Sequence, residues 1–171
     1  MNDVFKEQIV KQAPTTKDAL MKTGYLGLCF VLLYLTLTIT MLTPFLLFVL
    51  LGLGFGMHML FKMLSREYEY ILTSGELDVD CIYGKSRRKR IYTGDLKSVE
   101  VMVPLEDDSH ESVFKSAVEK KDCSTRRPSD DTYKFIAPYR GKMVQIAFTP
   151  NEEMLQLMAP YLGQRRLVTK K

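Results

Sequence analysis

From Gly24 to Phe61 the chain has no Asp, Glu, Lys or Arg, a gap of 38 residues in a protein of 171. A soluble domain of this size has no interior that hides so long an apolar segment, so the gap excludes a wholly water-exposed chain and points to a membrane. Cysteine is nearly as sparse. Cys29 falls in the apolar run, Cys81 and Cys123 lie far apart, there is no CxxC pair, and His58 and His110 are the only histidines. This pattern argues against a disulfide framework and offers no zinc-type ligand spacing, so free thiols in a reducing cytosol and no metal or cofactor are expected. Catalytic patterns are missing as well: there is no glycine-rich phosphate cradle and no Ser or Cys placed with a histidine and an acid. Asp107, Asp108, His110 and Glu111 come closest, and they read as a solvated acidic loop. No enzyme is expected.

The apolar run must fold back once. An unbroken helix of its length would reach about 57 Å, against a hydrocarbon core of about 30 Å. Thr43-Pro44 marks the bend, because proline donates no N–H and drives the residue before it out of the helical region. Spans of about 20–42 and 44–63 follow, inside a hairpin of residues 17–64. Gly24, Gly27, Gly52, Gly54 and Gly56 are read as the small residues that let the two helices approach closely, and Thr36, Thr38 and Thr40 as hydroxyls bonded within their own helix. More than twenty mostly polar residues precede the run, which is unlike a cleaved signal peptide. Lys11, Lys17 and Lys22 lie before it, Lys62 and Arg66 after it, and the bend carries no charge. Both termini are therefore expected in the cytoplasm, with the hairpin in the plasma membrane.

Residues 1–16 form an amphipathic arm. Val4, Phe5, Ile9 and Val10 share one side of a short helix that Pro14 stops, either an interfacial or partner-binding helix or a frayed terminus. After Leu64 the apolar pattern alternates. Tyr68, Tyr70 and Leu72, then Leu77, Val79, Cys81 and Tyr83, flank a Ser74-Gly75 turn; Arg88 to Tyr92 and Val99 to Val103 complete a four-stranded meander. Val113 to Asp122 reads equally as strand or helical turn, and Ser124 to Asp131 as a mobile loop. Tyr133 to Ala137 and Val144 to Phe148 form a second hairpin about Arg140-Gly141. Thr149 is placed as the N-cap of a helix whose Met154, Leu155, Leu157, Met158, Tyr161 and Leu162 cover an end of the sheet; Leu155, Leu157 and Met158 are the expected filling. Pro160 should kink it or end it early. The soluble domain thus spans 65–163, followed by a basic tail, 164–171.

Lys85, Arg87, Arg88, Lys89 and Arg90 concentrate five positive charges in six residues. They are the candidate contact site for a lipid or partner: either they meet anionic lipid headgroups, or they protect an edge strand from pairing. Overall, 24 Lys and Arg against 20 Asp and Glu give only +4, which argues against a nucleic-acid partner.

A membrane hairpin followed by "REYEYILTSGELDVDCIYGKSRRKRIYTGDLKSVEVMVP" and "YKFIAPYRGKMVQIAFTPNEEMLQLM" resembles the bacterial pleckstrin-homology-like membrane proteins. More narrowly, it resembles an uncharacterised Firmicutes family of small two-span proteins. The resemblance implies an α+β fold: a two-helix transmembrane hairpin, then a PH-like bent antiparallel sheet or partial barrel of six to seven strands, capped by a C-terminal helix. The uncharged Ser74-Gly75 stands where many phosphoinositide-binding relatives of that fold carry a long basic loop, so that mode of recognition is not implied. The expected function is a membrane-anchored, non-enzymatic binding or scaffold protein whose partner is another membrane or cytoplasmic protein, or a second copy of itself. An anionic-lipid sensor using residues 85–90 is the alternative, and a small membrane enzyme ranks third.

Overall fold

The computed structural model describes residues 4–108 and 110–163; the expected basic tail lies outside them. The chain divides into two compact units, Pro14–Arg66 with Tyr83–Ser86, and the remainder.

In the first unit, α1 (Thr16–Thr38) starts at Thr15, whose N–H donates to the Asp18 carboxylate at 2.8 Å. It ends at Thr38, earlier than Leu42. Thr40–Phe45 is a 3-10 turn, and α2 runs over Leu46–Leu64. Pro44 has no N–H for the Thr40 carbonyl, and the Thr43 hydroxyl donates to that oxygen instead, at 2.8 Å. The bend is therefore spread through the whole 3-10 turn instead of falling at one junction. Thr36 and Thr38 do bond back to the Leu32 and Tyr34 carbonyls, at 2.8 and 3.0 Å. The glycine expectation holds only at Gly56, where an added Cβ would fall 2.1 Å from the Tyr25 hydroxyl; Gly24, Gly27, Gly52 and Gly54 meet nothing. Tyr25 lies over Gly56 and donates to the Leu53 carbonyl at 2.9 Å, joining the helices. Lys22 stands 4.8 Å from the Phe61 ring centroid. Two helical segments, Thr16–Thr38 and Thr40–Leu64, are long and apolar enough to cross a membrane. Only Asp18 and Thr36 are buried in α1, and no residue is buried in α2.

The second unit holds two four-stranded sheets. The first contains β1 (Phe5–Lys11), β2 (Arg66–Thr73), β3 (Glu76–Tyr83) and β4 (Arg87–Asp95) in that order. The second contains β5 (Val101–Pro104), β6 (Glu119–Asp122), β7 (Tyr133–Tyr139) and β8 (Lys142–Phe148), ordered β5-β7-β8-β6, with β6 parallel to β8. Ser74-Gly75 and Arg140-Gly141 have positive φ at both residues, as tight hairpin turns require. Gly75 is also sterically fixed, because the Tyr161 ring would lie 2.5 Å from a Cβ there.

Three expectations need correction. The arm is not a helix: its residues 5–11 pair antiparallel with β2, Ile9 opposite Glu69 and Val10 opposite Tyr68. The strand was hidden because the residues on its inner side are Lys6 and Gln8 as well as Val10. Lys6 pairs with Glu153, and Gln8 donates to the Thr149 carbonyl at 3.0 Å and accepts from the Asn151 N–H at 2.8 Å, so polar side chains are satisfied without apolar alternation. Secondly, the meander does not continue into its fourth expected strand: β5 leaves for the second sheet and pairs with β7. The Val113–Asp122 stretch contains both alternatives in succession, the short α3 (Glu111–Phe114) and then β6. With β1 and β6 the strands number eight among the described residues.

The third correction concerns α4 (Glu152–Leu162). Asn151, not Thr149, is its N-cap, accepting from the Met154 N–H at 2.8 Å. Met154, Met158 and Leu162, spaced four apart, are its buried residues, while Leu155 and Leu157 are half-buried. Pro160 lies inside the helix, which does not end there but runs on to Leu162, and Gly163 follows it at positive φ.

The main core joins the sheets through a chain of aromatic rings. Tyr70 of β2 meets Phe148 of β8 edge-on at 5.6 Å, Phe148 meets Phe135 of β7 at 5.3 Å, and Phe135 meets Tyr92 of β4 at 5.3 Å. On the other face of the second sheet, Val103, Ile136 and Phe114 form a smaller core under α3. Met154→Ala, Met158→Ala and Leu162→Ala should each destabilise the protein by about 2–5 kcal/mol, and Leu155→Ala by less. Asn151→Ala should cost about 1 kcal/mol. Denaturant unfolding of the full chain in detergent, followed by near-ultraviolet dichroism, measures the order.

Candidate functional site

The basic run splits by partner. Lys85 sits in the turn after β3 with φ +59, and Arg87, Arg88, Lys89 and Arg90 begin β4. Arg90 forks across two carboxylates of β3: its Nη1 is 2.6 Å from Asp78 Oδ2 and its Nε donates to Asp80. Arg88 Nη1 lies 2.8 Å from Glu69 Oε2, outside hydrogen-bond alignment. Two of the five cations are thus committed to the outer face of the first sheet, where they offset Glu69, Asp78 and Asp80. Lys85, Arg87 and Lys89 form no ion pair among the described residues. The pairing of Arg90 follows from β3 and β4 being neighbours in one sheet, which the acidic alternation Glu76, Asp78, Asp80 foreshadows, whereas Arg88 reaches past β3 to Glu69 of β2.

Ser124 to Asp131 is expected to be a mobile loop, yet its first part is pinned beside Asp122. Ser124 and Thr125 are buried. Asp122 accepts from the Ser124 N–H at 3.1 Å, the Ser124 hydroxyl at 2.6 Å and Arg126 Nε at 2.6 Å. The Thr125 N–H donates to the Thr149 hydroxyl at 3.1 Å, and the Thr125 carbonyl accepts from the Ala13 N–H at 2.8 Å. Arg126 is held at φ +57, a conformation costly for a side chain of its size. Thr149, displaced from the capping role, is the hub that secures this segment. Its cue in the sequence is only the Ser-Thr pair at 124–125, which is common in any loop.

The acidic loop is surface structure, with Asp108 3.7 Å from the Lys134 ammonium, and no three-residue His, Cys, Asp or Glu metal group occurs among the described residues. Cys29, Cys81 and Cys123 are unpaired, and burial pushes the Cys123 thiol up to about 12, so it is a packing residue rather than a nucleophile.

With strands, lid helix and apolar hairpin in place, the family model that matches residues 2–167 is that of the bacterial PH-like domain (DUF6106). The chain belongs to the bacterial PH-like domain family. No curated protein and no solved structure matches it significantly. A PH-like domain is of the scaffold or binding-module kind, and domains of this type are generally non-enzymatic.

Two acids of this PH-like protein carry opposite electrostatic signatures. Glu69 is only 1% exposed; burial first, then the neighbouring Glu7 carboxyl with a contribution from Asp80, outweigh Arg88 and raise its pKa. Burial also acts to raise Asp122, but the hydrogen bonds from Ser124 and Arg126 prevail and hold it below its ordinary 3.8. A raised acid binds more protons in the folded state, so Glu69 loses stability as pH climbs from its ordinary 4.5 through its folded value. A depressed acid does the reverse: Asp122 contributes stability above 3.8 that disappears as pH falls through its folded value. Relative to the parent, Glu69→Gln should therefore gain stability at pH 7, and Asp122→Asn should lose it. Both differences should vanish when both carboxyls are protonated, which unfolding midpoints at pH 7 and in strong acid test.

Proposed function

We propose that this protein is a membrane-anchored binding or scaffold module, with the hairpin embedded in the plasma membrane and the PH-like domain presented in the cytoplasm to a protein partner. The observation that carries the reading is the bare apolar surface of α1 and α2. Phe30, Tyr34, Phe48 and Phe55 are each about two-thirds exposed or more, at 66, 67, 71 and 65%. In water such contiguous area costs about 25 cal/mol per Å2, whereas in hydrocarbon it costs nothing. The helix hydrogen bonds and the Thr43 bond at the bend leave the hairpin backbone suited to a medium without water. Lys17, Lys22, Lys62 and Arg66 gather at the ends away from the uncharged Thr40–Phe45 turn, which supports cytoplasmic termini.

A second reading has one specific support. Lys85, Arg87 and Lys89 have no ion pair among the described residues, so an anionic membrane surface would gain about 1 kcal/mol from each that reaches it. Arg88 and Arg90 contribute less to this reading than their sequence suggests, because their guanidiniums already face carboxylates. Their arrangement equally suits edge protection on β4.

Topology is tested with a reporter that is active only outside the cytoplasmic membrane. Fused at either terminus it should be inactive, and inserted after Met41 it should be active; the reverse pattern contradicts the anchoring arrangement. In nanodiscs, acylation of Lys85 and Lys89 should slow when neutral lipid is replaced by anionic lipid if the lipid reading holds, and should be unchanged if it does not.

A further inference from the structure

The second sheet carries a cationic cleft of about 490 Å3 on the face opposite the aromatic core. Its floor is formed by Gln145 and Ala147 of β8, its sides by Lys120 of β6 and by Leu105, Arg127 and Pro128. Register explains the floor: Lys120 stands opposite Gln145, and Asp122 opposite Ala147, so these side chains share the outer face while Ile146 and Phe148 point to the core. Lys120 and Arg127 form no ion pair among the described residues. Lys121 also borders the cleft, but its ammonium is drawn to the Ile91 carbonyl at 3.2 Å and the Tyr139 ring at 5.1 Å. The acid in the cleft, Asp122, is neutralised by Ser124 and Arg126 and does not cancel the two open cations.

Gln145 adds the second half of a recognition pattern. It is half-buried, yet its side-chain oxygen is covered and has no hydrogen-bond donor. An orphaned acceptor in a polar floor wants an N–H, and rotation about the terminal torsion of the side chain would present it to one in the cleft. Inorganic phosphate near neutral pH offers only the O–H of its mono- and diprotonated forms, and a lipid phosphodiester group has no donor at all. An extended polypeptide offers backbone N–H groups and, from Asp or Glu, carboxylates for Lys120 and Arg127. The apolar sides, Leu105, Pro128 and Ala147, suit small aliphatic side chains between the acids. The wall is also set in advance, since Thr149, Ala13 and Asp122 fix the segment that carries Arg127, which reduces the ordering cost of binding.

We propose that this cleft is the docking site of the PH-like domain for an acidic, extended peptide segment of a partner protein, with Lys120 and Arg127 receiving its carboxylates and Gln145 receiving a backbone N–H. The proposal rests on the reading of this chain as a binding module, but it is independent of the membrane arrangement.

The test uses the purified full chain in neutral detergent, so a failed topology assignment would leave it unaffected. The probe is a fluorescein-labelled octapeptide of alternating Asp and Ala with an amidated C-terminus, and its anisotropy is followed on titration. Saturable binding is expected, with none for the Asn-Ala counterpart. Lys120→Ser with Arg127→Ser should weaken it about tenfold or more, as loss of charged hydrogen bonds does. Gln145→Leu should weaken it separately, while Lys85→Ser, Arg87→Ser and Lys89→Ser together should leave it unchanged. The replaced cations are on the surface, and an unaltered unfolding midpoint confirms that the fold is kept. Three results would overturn the proposal: no saturable binding, binding lost with the 85, 87 and 89 changes instead, or inorganic phosphate competing as well as the peptide with Gln145→Leu silent. The last would identify a simple anion site.

Discussion

The hydroxyl of Tyr70 is the point on which the second unit depends. Its ring is fully buried in the first sheet and meets Phe148 of the second edge-on. Its oxygen donates to the Cys123 carbonyl at the end of β6 and accepts from the Thr149 N–H at 3.2 Å, where β8 leaves for α4. One side chain thus satisfies two buried backbone groups that no strand ladder reaches. Burial raises the phenol far above its ordinary 10, so it remains protonated and keeps the donor. Around this junction the rest falls into place: β1 closes beside β2 through Gln8 and Gln12, whose side chains bond carbonyls of Thr149, Asp122 and Ser124, and Thr149 in turn holds the Thr125 N–H.

That junction connects the core to the surfaces on which function rests. The segment leading from Cys123 to Arg127 is a rigid wall because its backbone is tied to Tyr70, Thr149 and Ala13, and the cleft beside it has a fixed shape before anything binds. On the first sheet the opposite logic applies. Arg88 and Arg90 are spent on Glu69, Asp78 and Asp80, so the most conspicuous charge cluster is partly internal accounting, and a quieter pair, Lys120 and Arg127, is open. The hairpin stands apart: almost nothing in it is buried, and its two helical segments are long and apolar enough to cross a membrane.

Much of this architecture is legible in the residues. The charge gap marks the hairpin, and the positive-φ turns at Ser74-Gly75 and Arg140-Gly141 mark two strand pairs, because these signals are local. What escapes is non-local. β1 has polar inward residues whose partners, Thr149 and Asn151, lie at the other end of the chain. The departure of β5 to the second sheet depends on pairing with β7, which no property of Val101 to Pro104 announces. The α4 cap shifts from Thr149 to Asn151 because Thr149 is needed by the Thr125 N–H. For the site, the sequence displays density of charge and not its pairing. The run at 85–90 is visible, while Lys120, Arg127 and Gln145, brought together by parallel pairing of β6 with β8 and by a loop, carry no common spacing.

The most direct measurement of the central claim is amide hydrogen exchange in the Tyr70→Phe variant of the full chain. Phenylalanine preserves the ring contact with Phe148 and removes only the hydroxyl. If that oxygen ties the sheets to the 123–127 segment, the Thr149 and Thr125 amides should exchange faster than in the parent, while the β2–β3 hairpin keeps its protection. Unchanged exchange at Thr149 and Thr125 would contradict the account and move the junction to the ring packing alone.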